Sequence, residues 1–418
     1  MSSKDFRQKW LSIVGIGEDG LDGLNSVGRS LVQQAQVIIG GDRQLAMVPE
    51  AAKEETPKKE NPERLRWTSP IADSVEEIIC RRGQAVCVLA SGDPMCYGIG
   101  VTLARVIPLA EMTIVPAPSA FSLACARLGW SLTEIETLSL CGRDPALLKA
   151  VLYPGAQLLV LSSDRHTPPF VAQLLTQQGL GTSQMTVLER LGGSQERLIA
   201  GTASTWQATD LADLNTIAIT CIADPPLYFQ SFSHFPGLPD SAYHNDGQLT
   251  KREVRAVTLS ALAPFPKQLL WDIGAGCGSI AIEWLRSDRR CQAIAIEQHQ
   301  TRLQYIADNA AALGVPHLKL VAGSAPLALK DLPQPDAIFI GGGVTTPDLL
   351  ATCWQALRSG GRLVVNAVTV ESEQVLFQGQ QQWGGELTRI GIQRAEAIGK
   401  FLGWKALATV TQWVVVKG

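Results

Sequence analysis

What the chain lacks narrows the field first. No apolar run approaches the ~20 residues that cross a bilayer, and the opening MSSKDFRQKWLSIVGIG holds no apolar stretch of signal-peptide length. Both absences point to a soluble, cytoplasmic protein with no membrane partner. The nine cysteines (80, 87, 96, 125, 141, 221, 277, 291 and 353) make no Cys-x-x-Cys pair, and their number is odd. They read as small hydrophobes in a reducing compartment, not as a disulfide frame. The five histidines (166, 234, 244, 299 and 317) form no His-x-His or His-x-x-x-His pair, so sequence neighbours build no metal site and none is expected. Lys plus Arg total 36 against 39 Asp plus Glu, a formal charge of −3. The overall basic balance of a nucleic-acid binder is missing.

What is present is core-forming. Of the 418 residues 46% are hydrophobic and 18% charged, which excludes a disordered or fibrous chain. At ~150 residues per domain the length implies two or three domains. Two segments share one grammar, an apolar strand running into a glycine turn: Leu11-Ser-Ile-Val-Gly-Ile-Gly17 and Leu269-Leu-Trp-Asp-Ile-Gly-Ala-Gly276. Between them, 234–247 carries Pro236, Gly237, Pro239 and Gly247, a poor helix or strand. The expected division is a domain over 1–235, a linker over 236–248 and a second domain over 249–418. No internal repeat is evident.

Both halves read as α/β. In the first, strands are predicted at 84–90, 112–115, 157–161 and 214–222, with a helix over 120–128 stopped by Gly129; 51–66 reads as an exposed loop or frayed helix. In the second, strands are predicted at 269–273, 292–296, 318–321, 337–340 and 362–366, with a helical stretch over 347–357. Two long strands, 387–398 and 406–416, close the chain. A parallel βαβ series with a late hairpin predicts a doubly wound, Rossmann-like sheet with one antiparallel edge strand.

The strongest local signal is Trp271-Asp-Ile-Gly-Ala-Gly-Cys-Gly-Ser-Ile-Ala-Ile-Glu283. A strand ends in Gly274-x-Gly276-x-Gly278 and a helix follows, so a ligand can approach the backbone with no Cβ in its way. Glu297 ends the next strand, where a carboxylate can take both hydroxyls of a ribose. Ser279 stands where a dinucleotide fingerprint has its third glycine, which disfavours a nicotinamide cofactor. With Asp272 before the turn, the segment resembles the class I S-adenosylmethionine methyltransferases. That resemblance implies cofactor contacts from Gly274, Ala275, Gly276, Cys277, Gly278 and Glu297. It also implies an adenine site at Gly323, Ser324 and Ala325, after the third strand. The same resemblance implies that Gly341 and Gly342, at the end of the fourth strand, face the methyl group and the substrate. Three glycines stand there in place of the Asn/Asp-Pro-Pro-aromatic motif of enzymes that methylate base nitrogens.

In the first half, Val14-Gly-Ile-Gly17, Ser91-Gly-Asp-Pro-Met-Cys-Tyr-Gly98 and Pro116-Ala-Pro-Ser-Ala-Phe121 each follow a predicted strand. Together with Ala124-x-Ala-x-Leu-Gly-Trp130 and Leu140-Cys-Gly-Arg143 they resemble the tetrapyrrole methylases, the class III methyltransferases, built from two α/β subdomains. The resemblance implies cofactor contacts at Gly92, Asp93, Cys96, Ser119 and Ala120, and places Gly15 and Gly17 near the substrate. Many relatives have His-Gly-Arg where this chain has Cys141-Gly-Arg143.

The fusion narrows the reading further. Asp246-Gly-Gln-Leu-Thr250 with Lys251-Arg-Glu-Val-Arg255, Gly323-Ser-Ala-Pro326, Phe339-Ile-Gly-Gly-Gly343 and Val365-Asn-Ala-Val-Thr369 resemble the bifunctional precorrin-6Y C5,15-methyltransferase (decarboxylating) family of cobalamin biosynthesis. The resemblance implies methylation of C-5 by the first domain. It implies methylation of C-15 and removal of the ring-C acetate carboxylate by the second, on a metal-free or cobalt-bearing corrin precursor. One S-adenosylmethionine per domain follows, with Thr250 touching it in the second, and a homo-oligomer is expected. Such a substrate carries several carboxylates, so Arg143, Lys251, Arg252 and Arg255 are candidates to line its trough, or else lie on solvated helix faces. Asn366, ending a strand, is a candidate to orient the substrate or a capping residue. Two other readings stay open: a methyltransferase of another large substrate such as RNA or a protein, and a non-catalytic S-adenosylmethionine-binding regulator.

Overall fold

The computed structural model describes residues 9–49, 61–224 and 233–418. They fall into two compact units. One holds the described residues up to Arg143 and those from Pro154 to Asp224; the other holds Asp144–Tyr153 and the described residues from Ser233 onward. No helix among the described residues is long and apolar enough to cross a membrane.

The first unit opens with β1 (Leu11–Ile16), α1 (Ser26–Gln34), β2 (Val37–Gly40), α2 (Asp42–Ala46), β3 (Glu63–Arg66), α3 (Ile71–Cys80), β4 (Val86–Ser91), α4 (Ile99–Leu103) and β5 (Met112–Val115). These strands form a wholly parallel sheet in the order β3-β2-β4-β1-β5. A parallel sheet is covered on both faces, and all six residues of β1 are buried. Leu11 and Ile13 pack with Val86 and Val88 on one face, Val14 and Ile16 with Cys87 and Leu89 on the other. β3 falls inside the stretch 51–66 expected to be a loop or frayed helix; residues 51–60 of it lie outside the described residues.

A second sheet follows, from α5 (Ala120–Leu128), β6 (Glu136–Ser139), β7 (Gln157–Leu161), α6 (Thr167–Gln177), β8 (Gln184–Glu189), β9 (Arg197–Thr202) and β10 (Asn215–Thr220). Its order is β6-β7-β10-β8-β9, with only β6 and β7 parallel. α5 has the predicted bounds because its ends are chemically marked. Ser119 Oγ accepts the amide of Ser122 at 3.1 Å, and Gly129 takes the left-handed conformation, φ 70°, that closes the helix.

The second unit comprises α7 (Arg252–Leu262), β11 (Leu269–Ile273), α8 (Ser279–Ser287), β12 (Gln292–Glu297), α9 (Gln300–Ala312), β13 (Lys319–Ala322), β14 (Ala337–Ile340), α10 (Leu349–Ala356), β15 (Arg362–Ala367), α11 (Val370–Trp383), β16 (Glu386–Ile390), β17 (Gln393–Ile398), β18 (Phe401–Ala406) and β19 (Val410–Val416). Seven strands form one sheet in the order β13-β12-β11-β14-β15-β19-β16. β19 runs against both its neighbours and every other pair that meets is parallel. The antiparallel strand therefore lies one place in from the edge where it was expected. Composition explains the order: β19 is almost wholly buried, whereas β16 is exposed along its length and takes the edge. The two long closing strands expected from the sequence are four shorter ones. Gly391 lies in the break after β16, and β17 and β18 pair with each other across the two-residue turn Gly399-Lys400.

The core of this unit has two layers. Leu270, Trp284, Ala295 and Val364 pack on one face of the sheet, Trp271, Ile273, Ile338 and Trp413 on the other. Leu238 and Tyr243, in the stretch expected to be a linker, are buried in the first of these layers.

Candidate active sites

In the second unit the C-terminal ends of β11, β12, β14 and β15 open onto a cavity of about 460 Å³. Thr250, Lys251, Gly274, Ala275, Gly276, Glu297, Gly323, Ser324, Ala325, Gly341, Gly342 and Asn366 all line it, so most of the residues singled out in this half of the sequence meet in one place. The turn after β11 depends on glycine at Gly274, whose φ is 66° and whose added Cβ would meet the Gly342 backbone at 3.1–3.3 Å. Across from it, nothing lies within 4 Å of a Cβ added to Gly342, so the floor is open.

Glu297 organises the rim. Its Oε2 accepts the Gly276 amide at 2.9 Å, and its Oε1 accepts the amides of Gln298 and His299 at 2.9 and 3.0 Å. A carboxylate has about four acceptor positions, so one remains for a ligand. Asp272 sits beneath the turn with 1% exposure. Its Oδ2 accepts the Ala281 amide at 3.0 Å, its Oδ1 has no partner among the described residues, and burial pushes its carboxyl up to about 7. Asn366 is half-buried and tied from behind: its Nδ2 donates to Thr258 Oγ1 at 2.9 Å, and its Oδ1 accepts from Gln412 Nε2 at 3.0 Å. One amide hydrogen and one lone pair of Asn366 remain for the cavity side.

Other predicted residues of this unit do not reach the cavity. Cys277 turns into the core and Gly278, φ 81°, caps α8, so both shape the turn without lining it. Arg252 is exposed on α7 beside Glu253. Arg255 requires the clearest correction: it is fully buried and cannot meet a substrate. Its Nε donates to Glu283 at 2.6 Å, its Nη1 to the Thr250 carbonyl at 2.5 Å, its Nη2 to the Leu238 carbonyl, and its guanidinium lies 4.8 Å from the centre of the Tyr243 ring. Glu283 also accepts the amides of Gly237 and Leu238 and the Tyr243 hydroxyl. The pair thus ties 237–250 onto α7 and α8. Gln248, His299 and Arg302 line the cavity and were missed; Arg302 is paired with Asp246 at 2.8 Å. The Asp246-Gly-Gln-Leu-Thr250 segment was the available signal.

The first unit has its own cavity of about 470 Å³, past the ends of β1 and β4. Gly17, Gly92, Asp93, Cys96, Ser119 and Ala120 line it, as does Cys141. Asp93 Oδ1 accepts the Met95 amide at 2.8 Å, which fixes the Gly-Asp-Pro turn and leaves the other carboxylate oxygen without a partner among the described residues. Burial raises the Cys96 thiol above its ordinary pKa, so it is a neutral lining group. Two predicted residues stand outside. Gly15 is buried where β1 meets the loops after β4 and β5: an added Cβ would strike the Gly92 carbonyl and the Ala117 amide. Arg143 is exposed with its guanidinium 4.8 Å from the centre of the Tyr97 ring, so it props an aromatic of the wall and does not line the cavity itself. Glu18, Arg43, Arg190 and Asn215 are lining residues that the sequence pattern did not mark.

Comparison with known proteins follows the same two-part division. The family model described as "Tetrapyrrole (Corrin/Porphyrin) Methylases" matches residues 11–207, and that described as "Precorrin methyltransferase domain" matches residues 241–417. The chain is 47% identical over 409 residues to the precorrin-6Y C(5,15)-methyltransferase (decarboxylating) of Sinorhizobium sp, covering 98% of this chain and 97% of that relative. It is 42% identical over 408 residues to the protein of the same name from Mycobacterium tuberculosis (strain CDC 1551 / Oshkosh), covering 97% and 99%. Among solved structures it is similar to the C-terminal domain of precorrin-6Y C5,15-methyltransferase from Rhodobacter capsulatus: 45% identity, TM-score 0.42, 44% of this chain and 100% of that one.

Proposed function

Because the chain belongs to the precorrin-6Y C5,15-methyltransferase (decarboxylating) family, and is therefore an S-adenosylmethionine-dependent methyltransferase of cobalamin biosynthesis, we propose that each unit is a separate methyl-transfer site binding one S-adenosylmethionine. The first unit methylates C-5 of the corrin precursor. The second methylates C-15 and releases the ring-C acetate carboxylate as carbon dioxide. The observation that carries this reading is that each unit, taken by itself, has a cavity at the C-terminal ends of its parallel strands, lined by its own glycine loops and a carboxylate with an unused acceptor position.

The residues present fit the cofactor. In the second unit Glu297 has an acceptor position for a ribose hydroxyl, the Gly274–Gly276 turn leaves backbone room for the amino-acid end, and 323–325 frames the base. In the first, Asp93 offers its unpartnered oxygen beside the capped start of α5. S-adenosylmethionine supplies a methyl group already activated on a sulfonium. The protein's task is then to align that methyl with an acceptor carbon and to exclude water. The open Gly342 floor leaves room for a flat macrocycle. Val368, Leu407 and Val410 give the cavity an apolar wall against it. The Asn366 amide, held by Thr258 and Gln412, is rigid enough to orient a polar group of the substrate. The conjugated tetrapyrrole serves as its own electron sink when the carboxylate leaves. Nine free cysteines fit a cytoplasmic setting.

Binding stoichiometry tests the two-site reading. Titration of the full chain with S-adenosylhomocysteine is expected to fill two sites per chain, and Gly342→Leu and Asp93→Ala are each expected to weaken one unit's turnover alone. One site per chain, or both activities falling together in either variant, would overturn it.

A further inference from the structure

Beside the first unit's cavity lies a second basin of about 700 Å³, which shares Glu18, Arg43, Arg190 and Leu214 with it. None of Gly92, Asp93, Cys96, Ser119 or Ala120 reaches this basin. It is therefore continuous with the candidate cofactor site and distinct from it. Four arginines wall it, and three are already engaged. Arg43 pairs with Glu18 and donates to Ser91 Oγ at 2.6 Å. Arg165 grips Asp213 with two bonds at 2.7 and 2.8 Å. Arg197 holds Glu189 at 2.7 Å.

Arg190 is different. Among the described residues its guanidinium has no hydrogen bond or ion pair, and its exposed side chain stands where the two cavities meet. Its backbone is left-handed, φ 48°, a conformation that disfavours any residue with a Cβ. Two bonds hold it there: the Arg190 amide donates to the Leu214 carbonyl and the Gly193 amide to the Arg190 carbonyl, both at 3.1 Å. Backbone strain of this kind clusters at ligand-binding sites, although Arg190 shares it with five other non-glycine residues among those described.

We propose that Arg190 is the substrate-binding residue by which the first unit grips a side-chain carboxylate of its tetrapyrrole, the basin receiving the acidic rim of the macrocycle. The inference rests on the methyl-transfer reading of this unit and names the residue that selects its substrate. Of the basin's carboxylates, Glu18 pairs with Arg43, Asp213 with Arg165, and Glu189 and the fully exposed Asp210 share Arg197, so among the described residues Arg190 is the arginine of the basin with no carboxylate partner. A guanidinium presents paired N–H groups that match a carboxylate, and this one is exposed. Arg143, the arginine of this unit that its sequence motif singles out, lies against Tyr97 and does not fill that role.

The test follows the C-5 methylation step of the full chain with S-adenosylmethionine and metal-free precorrin substrate, reading each newly introduced methyl by carbon-13 label. Arg190→Ala is expected to raise the KM for the tetrapyrrole about ten- to a hundredfold, with kcat and the KM for S-adenosylmethionine changed little. Arg190→Gly relaxes the backbone but removes the side chain, and should behave like Arg190→Ala. Arg190→Lys should restore part of the affinity. Ala and Gly variants with tetrapyrrole KM within twofold of wild type would overturn the proposal while leaving the methyl-transfer reading intact. An equal loss of S-adenosylmethionine affinity would overturn it as well, by making the role structural. If the wild-type chain places no methyl at C-5 of either the metal-free or the cobalt-bearing substrate, the reading of the unit and the proposal fall together.

Discussion

The carboxylate of Glu297, at the end of β12, accepts the amide of Gly276 at 2.9 Å, so the tip of one strand fixes the glycine turn that follows its neighbour. Gly274 and Ala275 donate to the carbonyl of Ile296 at 3.0 and 3.2 Å, and Gly323 donates to that of Glu297 at 3.0 Å. The loops that follow three strands are thereby tied to one short segment before any ligand arrives. A site so organised loses little conformational freedom on binding, and the same carboxylate is left one acceptor position with which to bind.

Glu297→Gln separates these roles. A glutamine has one acceptor oxygen where the carboxylate has two, and its amide group faces backbone N–H donors. We expect S-adenosylmethionine affinity in the second unit to fall at least tenfold and that unit to lose about 1–3 kcal/mol of stability. Calorimetric titration and denaturant unfolding would show both; unchanged affinity would remove Glu297 from the site.

Gly342→Leu should do the opposite, blocking without unfolding. Its Cβ meets nothing within 4 Å and its φ lies outside the left-handed region, so the backbone tolerates a side chain that then fills the cavity floor. The expected result is C-15 methylation and decarboxylation lowered by more than about a hundredfold, stability within about 0.5 kcal/mol of wild type, and C-5 methylation intact. Asp93→Ala is its mirror, impairing C-5 and sparing C-15. Product analysis with position-resolved label decides both.

Arg255→Met should destabilise the second unit by about 3–5 kcal/mol, because Glu283 is left charged in the core. Adding Glu283→Gln is not expected to restore wild-type stability, since Tyr243, Gly237 and Leu238 still need their acceptor. A fragment 240–418, which loses the Gly237 and Leu238 amides, should for the same reason melt below one that starts at 233. A loss under about 1 kcal/mol in Arg255→Met would contradict the tie.

These residues also show where sequence is readable. The bounds 112–115, 120–128, 157–161, 269–273 and 337–340 stand in the structure as the strand runs, the serine cap and the glycine stops mark them. Those signals are local, and so is the glycine turn that led to Glu297. Arg255 was misread because its position in Lys251-Arg-Glu-Val-Arg255 looks like a solvated helix face, whereas the partner that buries it, Glu283, lies on another helix. Arg190 was invisible for the converse reason. Its significance lies in a left-handed φ and in three neighbouring arginines already paired, neither of which is written in its own surroundings in the chain.

Asp272 makes the second unit pH-sensitive in a predictable direction. Burial raises its carboxyl to about 7 from an unfolded value near ~3.9, so between those limits the folded state keeps a proton that the unfolded chain releases. Its contribution is fully present below pH ~4 and is lost as pH rises to about 7, on the order of 4 kcal/mol in all, with no further change above. Asp272→Asn keeps an acceptor for the Ala281 amide and should abolish that slope. Unfolding measured at pH 5 and pH 7.5 should show the wild type losing stability relative to the variant; parallel behaviour would contradict the assignment.

Whether one chain carries two working methyl-transfer sites is decided by mass spectrometry of the product formed from metal-free precorrin-6Y-type substrate and excess S-adenosylmethionine. Two sites and a decarboxylation yield a tetrapyrrole that has gained two methyl groups and lost one carbon dioxide, with two molecules of S-adenosylhomocysteine released per product. A wild-type product with a single methyl, or with both methyls and its acetate carboxylate intact, would show that one of the two units does not do what is proposed for it.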